Sequence, residues 1–275
     1  MILYPPAKIN LGLHILAKRP DGYHEIETIM AETPLCDILE ITEAASDSFV
    51  QSGIQVPSDG QPNLCQRAVN LLREHKVFPN LQIHLRKQIP IGAGLGGGSA
   101  DASYMLSGVN SLFDLGYSNT ELADFAAQLG SDCPFFIAGG LQLANGRGEL
   151  LTELEPTGKT VYLVLCNPQI HVSTAAAYAG VQPENGRSSI LYQFQTEGIN
   201  GLQNDFERSV FQDFPLIQDL KNALYNAGAT YAAMSGSGSS VFGIFEVEPI
   251  LTADLSRQCI YKGPWHYWSV GFFFT

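Results

Sequence analysis

The chain has 275 residues, of which 45% are hydrophobic and 15% charged, and its formal net charge is −12. This length accommodates one large domain or two ordinary ones, and the composition is typical of a globular protein. The negative charge argues against nucleic-acid binding, which favours a basic face.

No apolar run is long enough to span a membrane, and the first residues lack the basic region of a signal peptide. We therefore expect a cytoplasmic protein without a membrane segment. The cysteines are odd in number, scattered and without a C-x-x-C pair, which predicts reduced thiols and no metal site. They are Cys36, Cys65, Cys133, Cys166 and Cys259.

The N-terminal segment predicts a strand over Ala7–Leu13, with Lys8 and Asn10 on one face and apolar residues on the other. A lysine on a strand is normally a solvated charge. A second strand is expected over Glu25–Met30. The two strands would form an antiparallel hairpin.

The turn between these strands contains Pro20-Asp21-Gly22, in which proline presets φ and glycine accepts a positive φ. Tyr23 and His24 follow it directly. Such a pair is usually packing or accident, yet a flat ring beside a residue that both donates and accepts also suits a nucleobase.

The most informative segment is a glycine loop that we define as residues 90–100. A strand over Leu81–Leu85 precedes it, and a helix with Ser99 as its cap is expected after it. Glycine lets a backbone approach a ligand closely, and a helix N-terminus attracts anions, so the segment predicts a phosphate site. Gly92, Gly94 and Gly97 also match the dinucleotide pattern G-x-G-x-x-G. That interpretation fails because the acidic residue it requires, Asp114, follows a helix rather than a second strand.

Further helices are expected over residues 63–77 and 121–129. Asp132 lies at an N-cap-like position after them, and a plain cap is the simplest interpretation of it. We place a domain boundary between residues 152 and 153. In the second domain we expect a polar loop over residues 182–200, a second Gly/Ser loop over residues 235–240, a helix over 249–258 and a final strand over 268–274.

Three motifs in this order resemble the galactokinase, homoserine kinase, mevalonate kinase and phosphomevalonate kinase (GHMP kinase) superfamily. They are Pro-x-Lys-Ile-Asn-Leu-x-Leu at residues 6–13, Pro-x-Gly-Ala-Gly-Leu-Gly-Gly-Gly-Ser at 90–99 and Met-Ser-Gly-Ser-Gly at 234–238. The segments at residues 19–25, 130–136 and 204–207 are similar to one branch, whose substrate carries a cytidine diphosphate group. The resemblance covers essentially the whole chain.

The resemblance implies an α+β fold with a ribosomal-protein-S5-like N-terminal domain and a ferredoxin-like C-terminal domain, residues 1–152 and 153–275, with the active site in the cleft between them. It implies ATP-dependent phosphorylation of the 2-hydroxyl of a cytidylated small molecule, with Mg²⁺ whose ligands stay unassigned. We expect a monomer or weak homodimer.

The resemblance also implies site residues, with Lys8 and Asp132 as the catalytic pair. Asn63 and Leu64 would lie near the adenine. The ATP-binding glycine loop comprises Pro90, Ile91, Gly92, Ala93, Gly94, Leu95, Gly96, Gly97, Gly98, Ser99 and Ala100. The substrate-binding residues are Asn10, Tyr23, His24, Thr174 and Tyr178.

Two alternatives remain open at this stage. The first is another kinase of the superfamily, which acts on mevalonate, homoserine or a sugar. The Asp-Gly-Tyr-His turn speaks against it, since those substrates carry no nucleobase. The second is a non-catalytic nucleotide-binding protein on the same fold, which would have no need of both Lys8 and Asp132.

Overall fold

A computed structural model describes residues 1–56, 60–155, 159–184 and 186–268 of the protein. They form two compact units that are interleaved along the sequence. The first comprises Met1–Ala7, Pro34–Ile91 and Gly96–Gly139, and the second comprises Lys8–Thr33, Gly92–Leu95 and the chain from Gly140 onward. The boundary at residue 152 stays a prediction, because no single point of the sequence separates two interleaved units.

Strands and helices occur in runs, as expected for an α+β protein. The strands are β1 (Ile2–Leu3), β2 (Pro6–Lys18), β3 (His24–Cys36), β4 (Ile38–Glu43), β5 (Ser48–Gly53), β6 (Leu81–Lys87), β7 (Leu141–Asn145), β8 (Leu150–Glu153), β9 (Lys159–Cys166), β10 (Tyr231–Met234), β11 (Val241–Phe245) and β12 (Cys259–Trp268). The α-helices are α1 (Leu64–Arg73), α2 (Gly97–Leu112), α3 (Asn119–Leu129), α4 (Phe135–Ala138), α5 (Thr174–Ala179), α6 (Ile190–Glu197), α7 (Phe206–Asp213), α8 (Pro215–Asn226) and α9 (Ala253–Gln258).

The first unit contains a sheet in the order β1-β4-β6-β5, in which only the β5–β6 pair is parallel. Alternate residues of β6 are buried, because one face of the strand packs on the helices. Leu39, Ile83, Met105 and Val109 are among the apolar side chains of this core. Lys87 ends the buried row of β6, immediately before the glycine loop.

The second unit contains two antiparallel sheets, β2-β3-β7-β8 and β10-β11-β9-β12. The predicted hairpin near the N-terminus corresponds to β2 and β3, which both extend beyond the predicted strands. Apolar side chains of β9 and β10 pack against α7 and α8, and Phe206, Ile217 and Leu224 are buried there. In the described part of the chain, no helix is long and apolar enough to cross a membrane.

Two predicted helix features were wrong. Helix α2 begins at Gly97 rather than after Ser99, and its N-cap is Gly96, with a φ of 68° that favours glycine. The segment expected to be a polar loop contains α6. The Ser189 hydroxyl accepts a hydrogen bond from the Tyr192 N–H, and Ile190 and Phe194 are buried one helical turn apart. This capped pair of apolar residues outweighs the polar composition around it.

The C-terminal elements also differ from the prediction. The expected helix over 249–258 begins only at Ala253, after the Thr252 cap. The expected last strand began at residue 268, whereas β12 ends there and pairs with β9 from Cys259 onward. Residues 269–275 of that prediction lie outside the described residues.

Candidate active site

Lys8 and Asn10 lie on β2 and are joined by a direct hydrogen bond. Lys8 is 4% exposed, and its Nζ donates to Asn10 Oδ1 at 2.6 Å. The Asn10 Nδ2 donates to Thr28 Oγ1 on β3 at 3.0 Å, and that hydroxyl donates to the Gly12 carbonyl oxygen at 2.6 Å. This chain fixes the orientation of the asparagine and therefore the position of the lysine ammonium.

The glycine loop contacts the second Gly/Ser loop, residues 235–240. The Ser235 hydroxyl donates to the Gly94 carbonyl oxygen at 2.8 Å, and the Ser240 N–H donates to the Ala93 carbonyl oxygen at 3.1 Å. A Cβ atom on Gly94 would lie 2.0 Å from the Ser235 carbonyl oxygen. Only glycine therefore permits this approach of the two backbones.

Strand β2 is bonded to both loops. The Lys8 N–H donates to the Leu95 carbonyl oxygen at 2.9 Å, and the Asn10 N–H donates to Ser235 Oγ at 3.3 Å. Asn204 fixes the second loop, because its Nδ2 donates to the carbonyl oxygens of Met234 and Gly236, each at 2.8 Å.

Sequence reasoning assigned no role to Thr28, Asn204 or Ser235. The motifs that contain Asn204 and Ser235 are part of the resemblance. The hydrogen bonds through which these two residues connect the loops and β2 join residues far apart in the sequence. Thr28 carried no signal, because a threonine in a half-buried strand is common.

The first turn of α2 presents backbone N–H groups. Gly96 provides no side-chain cap, and the first N–H groups of a helix have no partner within it. The helix dipole makes this end partly positive. Gly98 is exposed, whereas Gly97 and Ala100 are buried. This arrangement is suited to a phosphate group.

Lys87, Asp37 and Asp101 form a buried charge cluster next to the first turn of α2. The Lys87 ammonium binds Asp101 Oδ2 at 2.7 Å and also contacts the Asp37 carboxylate. The Asp37 carboxylate also accepts hydrogen bonds from the N–H groups of Gln88 and Ile89. The cluster therefore ties the end of β6 to α2 on both sides of the glycine loop.

The cluster contains two carboxylates and one cation. Burial raises the pKa of Asp101, and the nearby Asp37 adds to that effect while Lys87 opposes it. Burial alone would lower the pKa of Lys87, but the two carboxylates outweigh it and raise that pKa. Asp101 therefore holds a proton more readily than an ordinary aspartate.

Asn63 and Leu64, predicted to lie near the adenine, stand at the start of α1. The Asn63 side chain accepts from the Cys65 N–H at 2.9 Å, and the Asn63 N–H donates to Gln66 Oε1 at 3.0 Å. A Cβ atom on Gly98 would lie 3.4 Å from Leu64 Cδ1. Leu64 therefore lies next to the first turn of α2, and Asn63 is the N-cap of α1.

Asp132 is half-buried in the turn at residues 131–134, and the N-cap of α4 is Pro134 rather than Asp132. Ser103 Oγ on α2 lies 2.7 Å from the Cys133 carbonyl oxygen and 2.9 Å from that of Ser99. The turn that carries Asp132 is therefore fixed next to the start of α2. Cys133 is buried, and burial raises the pKa of its thiol to about 11.

Three rings from separate elements meet at the predicted cytosine-binding residues. His24 and Tyr178 stack with ring centroids 4.7 Å apart, and Tyr178 meets the buried Phe206 edge-on at 4.8 Å. This stack leaves no room for a base between His24 and Tyr178. Burial, followed by the charge of Lys18, lowers the pKa of His24. The neutral ring provides one donor and one acceptor.

Tyr23 is 54% exposed, and the Arg147 guanidinium lies 4.9 Å from its ring centroid. Thr174 Oγ1 lies 3.1 Å from Ser237 Oγ of the second Gly/Ser loop. His171 approaches Gly92, because its Nδ1 lies 3.6 Å from the position of a Cβ atom on that glycine. Of the predicted substrate-binding residues, Asn10 and Thr174 therefore contact the second Gly/Ser loop.

The predicted site residues divide between the two units. Lys8, Asn10, Tyr23, His24, Gly92–Leu95, Thr174 and Tyr178 belong to the second, and Asn63, Leu64, Pro90, Ile91, Gly96–Ala100 and Asp132 belong to the first. Among the described residues, no group of three or more His, Cys, Asp or Glu side chains is arranged to hold a metal ion. Mg²⁺ commonly binds one or two carboxylates together with substrate phosphates, which needs no such group.

Comparisons with known proteins place the chain in a family. The chain matches the GHMP kinases N-terminal domain over residues 63–140 and the GHMP kinases C-terminal domain over residues 193–253. The 4-diphosphocytidyl-2-C-methyl-D-erythritol kinase of Azobacteroides pseudotrichonymphae is 48% identical over 262 residues, which cover 93% of this chain and 98% of that protein.

Solved structures show the same relationship. A crystal structure of a 4-(cytidine 5'-diphospho)-2C-methyl-D-erythritol kinase matches with a TM-score of 0.79 and 33% identity, over 94% of this chain and 92% of that one. A homoserine kinase from Cytophaga hutchinsonii matches with a TM-score of 0.64 and 18% identity, over 96% and 92% of the two chains. At that identity the second match shows the fold alone.

Proposed function

Because the chain belongs to the family of 4-diphosphocytidyl-2-C-methyl-D-erythritol kinases, within the GHMP kinases, we propose that it phosphorylates that substrate with ATP. The chain is thus a kinase with an alcohol acceptor, and the predicted fold class is confirmed. The observation that carries the proposal is the 48% identity to a kinase of that name over 93% of the chain. The acceptor is the 2-hydroxyl, and the product belongs to the non-mevalonate route to isoprenoid precursors.

The glycine loop is the proposed site of the ATP phosphates. Its support comes from the uncapped first turn of α2 and from the contact between Gly94 and Ser235. Backbone N–H groups hold a phosphate without a strongly basic surface, which fits a chain of net charge −12. ATP would carry Mg²⁺ on its phosphates, and the ion would supply positive charge at the transferred group.

Lys8 and Asp132 are the proposed catalytic pair. The Asp132 carboxylate orients the acceptor hydroxyl and takes its proton as the new bond to phosphorus forms. The Lys8 ammonium stabilises the developing alkoxide and the transferred phosphoryl group. The hydrogen bond from Lys8 to Asn10 supports this role, because it limits where the ammonium lies.

The cytosine is the proposed ligand of Tyr23, His24 and Tyr178. An aromatic ring stacked on a base contributes about 1–3 kcal/mol on the scale known for single-stranded nucleic acids. A cytosine that stacks on the face of Tyr178 now covered by His24 takes the place of the imidazole, which then reads the edge of the base. The monomeric or weakly dimeric state and the cytoplasmic location stay predictions.

The two alternatives are less well supported. The homoserine kinase shares only 18% identity, so its substrate carries no weight here. A non-catalytic nucleotide-binding protein would bind ATP without consuming it. We propose the kinase over both.

An assay of ADP release with four alcohols separates these possibilities. The purified chain, with ATP and Mg²⁺, is offered the diphosphocytidyl alcohol, homoserine, mevalonate and galactose in turn. We expect turnover with the first alone and none with the Asp132→Asn variant, which excludes a contaminating kinase as the source. Turnover of another alcohol would contradict the substrate assignment, and ATP binding without turnover would contradict catalysis.

A further inference from the structure

Two of the five cysteines face each other on neighbouring strands. Cys166 ends β9, Cys259 begins β12, and the two are directly opposite in the antiparallel register. The Asn167 N–H donates to the Gln258 carbonyl oxygen at 2.9 Å, which makes Cys166–Cys259 a non-hydrogen-bonded pair. In such pairs the Cα atoms are about 4.5 Å apart.

This separation lies within the range of about 4.4–6.8 Å that a disulfide spans. Opposite residues of an antiparallel pair place their side chains on the same face of the sheet. The Cys259 thiol donates to the Tyr261 carbonyl oxygen at 3.2 Å, and neither cysteine is in a disulfide. The paired positions are therefore compatible with a disulfide, next to a register irregularity of β12 between Cys259 and Tyr261.

The two thiols differ in access and in ionisation. Cys166 is buried, whereas Cys259 is only partly buried. The neighbouring Cys166 thiol lowers the pKa of the Cys259 thiol, against the opposing effect of burial. Since the thiolate is the reactive form, Cys259 is the nucleophile of the pair. In contrast, burial raises the pKa of Cys65 and Cys133.

We propose that Cys166 and Cys259 form an oxidation site, at which a hydroperoxide converts the two thiols into a reversible disulfide. The Cys259 thiolate attacks one oxygen of hydrogen peroxide, the O–O bond breaks, and the departing hydroxide takes up a proton to form water. The Cys166 thiol then attacks the resulting sulfenic acid, and a second water leaves as the S–S bond closes. The thiols lose two electrons together, and peroxide gains them.

This site is independent of the proposed kinase function, because neither thiol belongs to the predicted ATP-binding or substrate-binding residues. A low-molecular-weight dithiol opens a disulfide by thiol–disulfide exchange. The proposal therefore predicts a bond that forms with peroxide and opens with dithiothreitol.

Peptide mapping of the peroxide-treated full-length chain tests this inference. After the remaining thiols are alkylated, we expect one cross-linked peptide pair that contains Cys166 and Cys259, and dithiothreitol should abolish it. The Cys36→Ser variant is the matched control, since Cys36 is the other partly buried thiol, and it should give the same cross-link. The Cys259→Ser variant should give none.

Peptide mapping of the wild-type chain tests the proposed disulfide even if a variant folds poorly. Sulfinic acid on Cys259 without the cross-link would overturn the proposal. So would a disulfide that contains Cys36, or five unmodified thiols under peroxide concentrations that oxidise a small-molecule thiol of similar pKa.

Discussion

Gly94→Ala tests whether the glycine loop depends on contact with the second Gly/Ser loop. Gly94 has a φ of +78°, and a Cβ atom there would lie 2.0 Å from the Ser235 carbonyl oxygen. The left-handed conformation costs another residue about 1–2 kcal/mol. Separation of the loops also breaks the bonds from Ser235 to Gly94 and from Ser240 to Ala93, each with about 0.5–1.5 kcal/mol of stability. We expect the free energy of unfolding to fall by about 2–5 kcal/mol.

Gly116→Ala is the matched control for this variant. Gly116 has a φ of +79°, and among the described residues no heavy atom lies within 4 Å of its Cβ position. The free energy of unfolding of Gly116→Ala should fall by about 1–2 kcal/mol, the cost of the left-handed conformation alone. Urea unfolding measures both losses, and calorimetry measures the Kd for ATP under conditions where both variants are folded.

The expected pattern is a Kd for ATP that rises by about tenfold or more, equivalent to at least about 1.4 kcal/mol, in Gly94→Ala. Gly116→Ala should bind ATP like the wild type. Equal losses of stability in the two variants, together with unchanged ATP affinity in both, would refute the role of the contact.

Three further predictions follow from the catalytic pair, the buried charges and a buried histidine. Asp132→Asn should lower kcat by about 10²-fold or more with little change in either KM, and Lys8→Met should lose rate similarly and weaken ATP binding; steady-state kinetics near wild-type values in either variant would contradict the assignment. Lys87→Met leaves Asp37 and Asp101 buried without their cation and should cost about 3–5 kcal/mol in urea unfolding. Asp101→Asn should cost much less, because it removes one of two neighbouring acidic groups and leaves Lys87 paired with Asp37; equal costs would contradict the raised pKa of Asp101. Burial, with a neighbouring arginine, lowers the pKa of His14 to about 4, so the unfolded chain binds a proton there between about pH 4 and 6.5 while the folded chain does not. Stability should therefore fall as the pH drops through that window, by about 2 kcal/mol at pH 5 relative to His14→Leu, and parallel pH profiles for the two proteins would contradict this origin.

Local patterns predicted the elements that carry the site. The alternation around Lys8, the turn before Tyr23 and the strand, glycine loop and helix order around Gly94 are all encoded within a few residues of each other. The structure has each of them, because periodicity and turn chemistry act over the same short range.

The partners of these residues could not be predicted in the same way. Nothing near Asn10 indicates that Ser235 bonds it, and nothing near Lys87 indicates that two aspartates share its ammonium. Helix α6 was missed because two buried side chains, rather than the polar average of the segment, decide its structure. Long-range hydrogen bonds and burial are properties of the folded chain, and the composition of a segment does not contain them.

The ratio of kcat/KM for two acceptors tests the central claim most directly. The acceptors are 4-diphosphocytidyl-2-C-methyl-D-erythritol and 2-C-methyl-D-erythritol phosphate, which share the reacting hydroxyl and differ by the cytidyl group. Stacking worth about 1–3 kcal/mol for each aromatic ring predicts that the shorter acceptor, which has no base to stack, is poorer by at least about fivefold per ring. Equal kcat/KM values for the two acceptors would contradict a nucleobase site at Tyr23, His24 and Tyr178, and with it the proposed substrate.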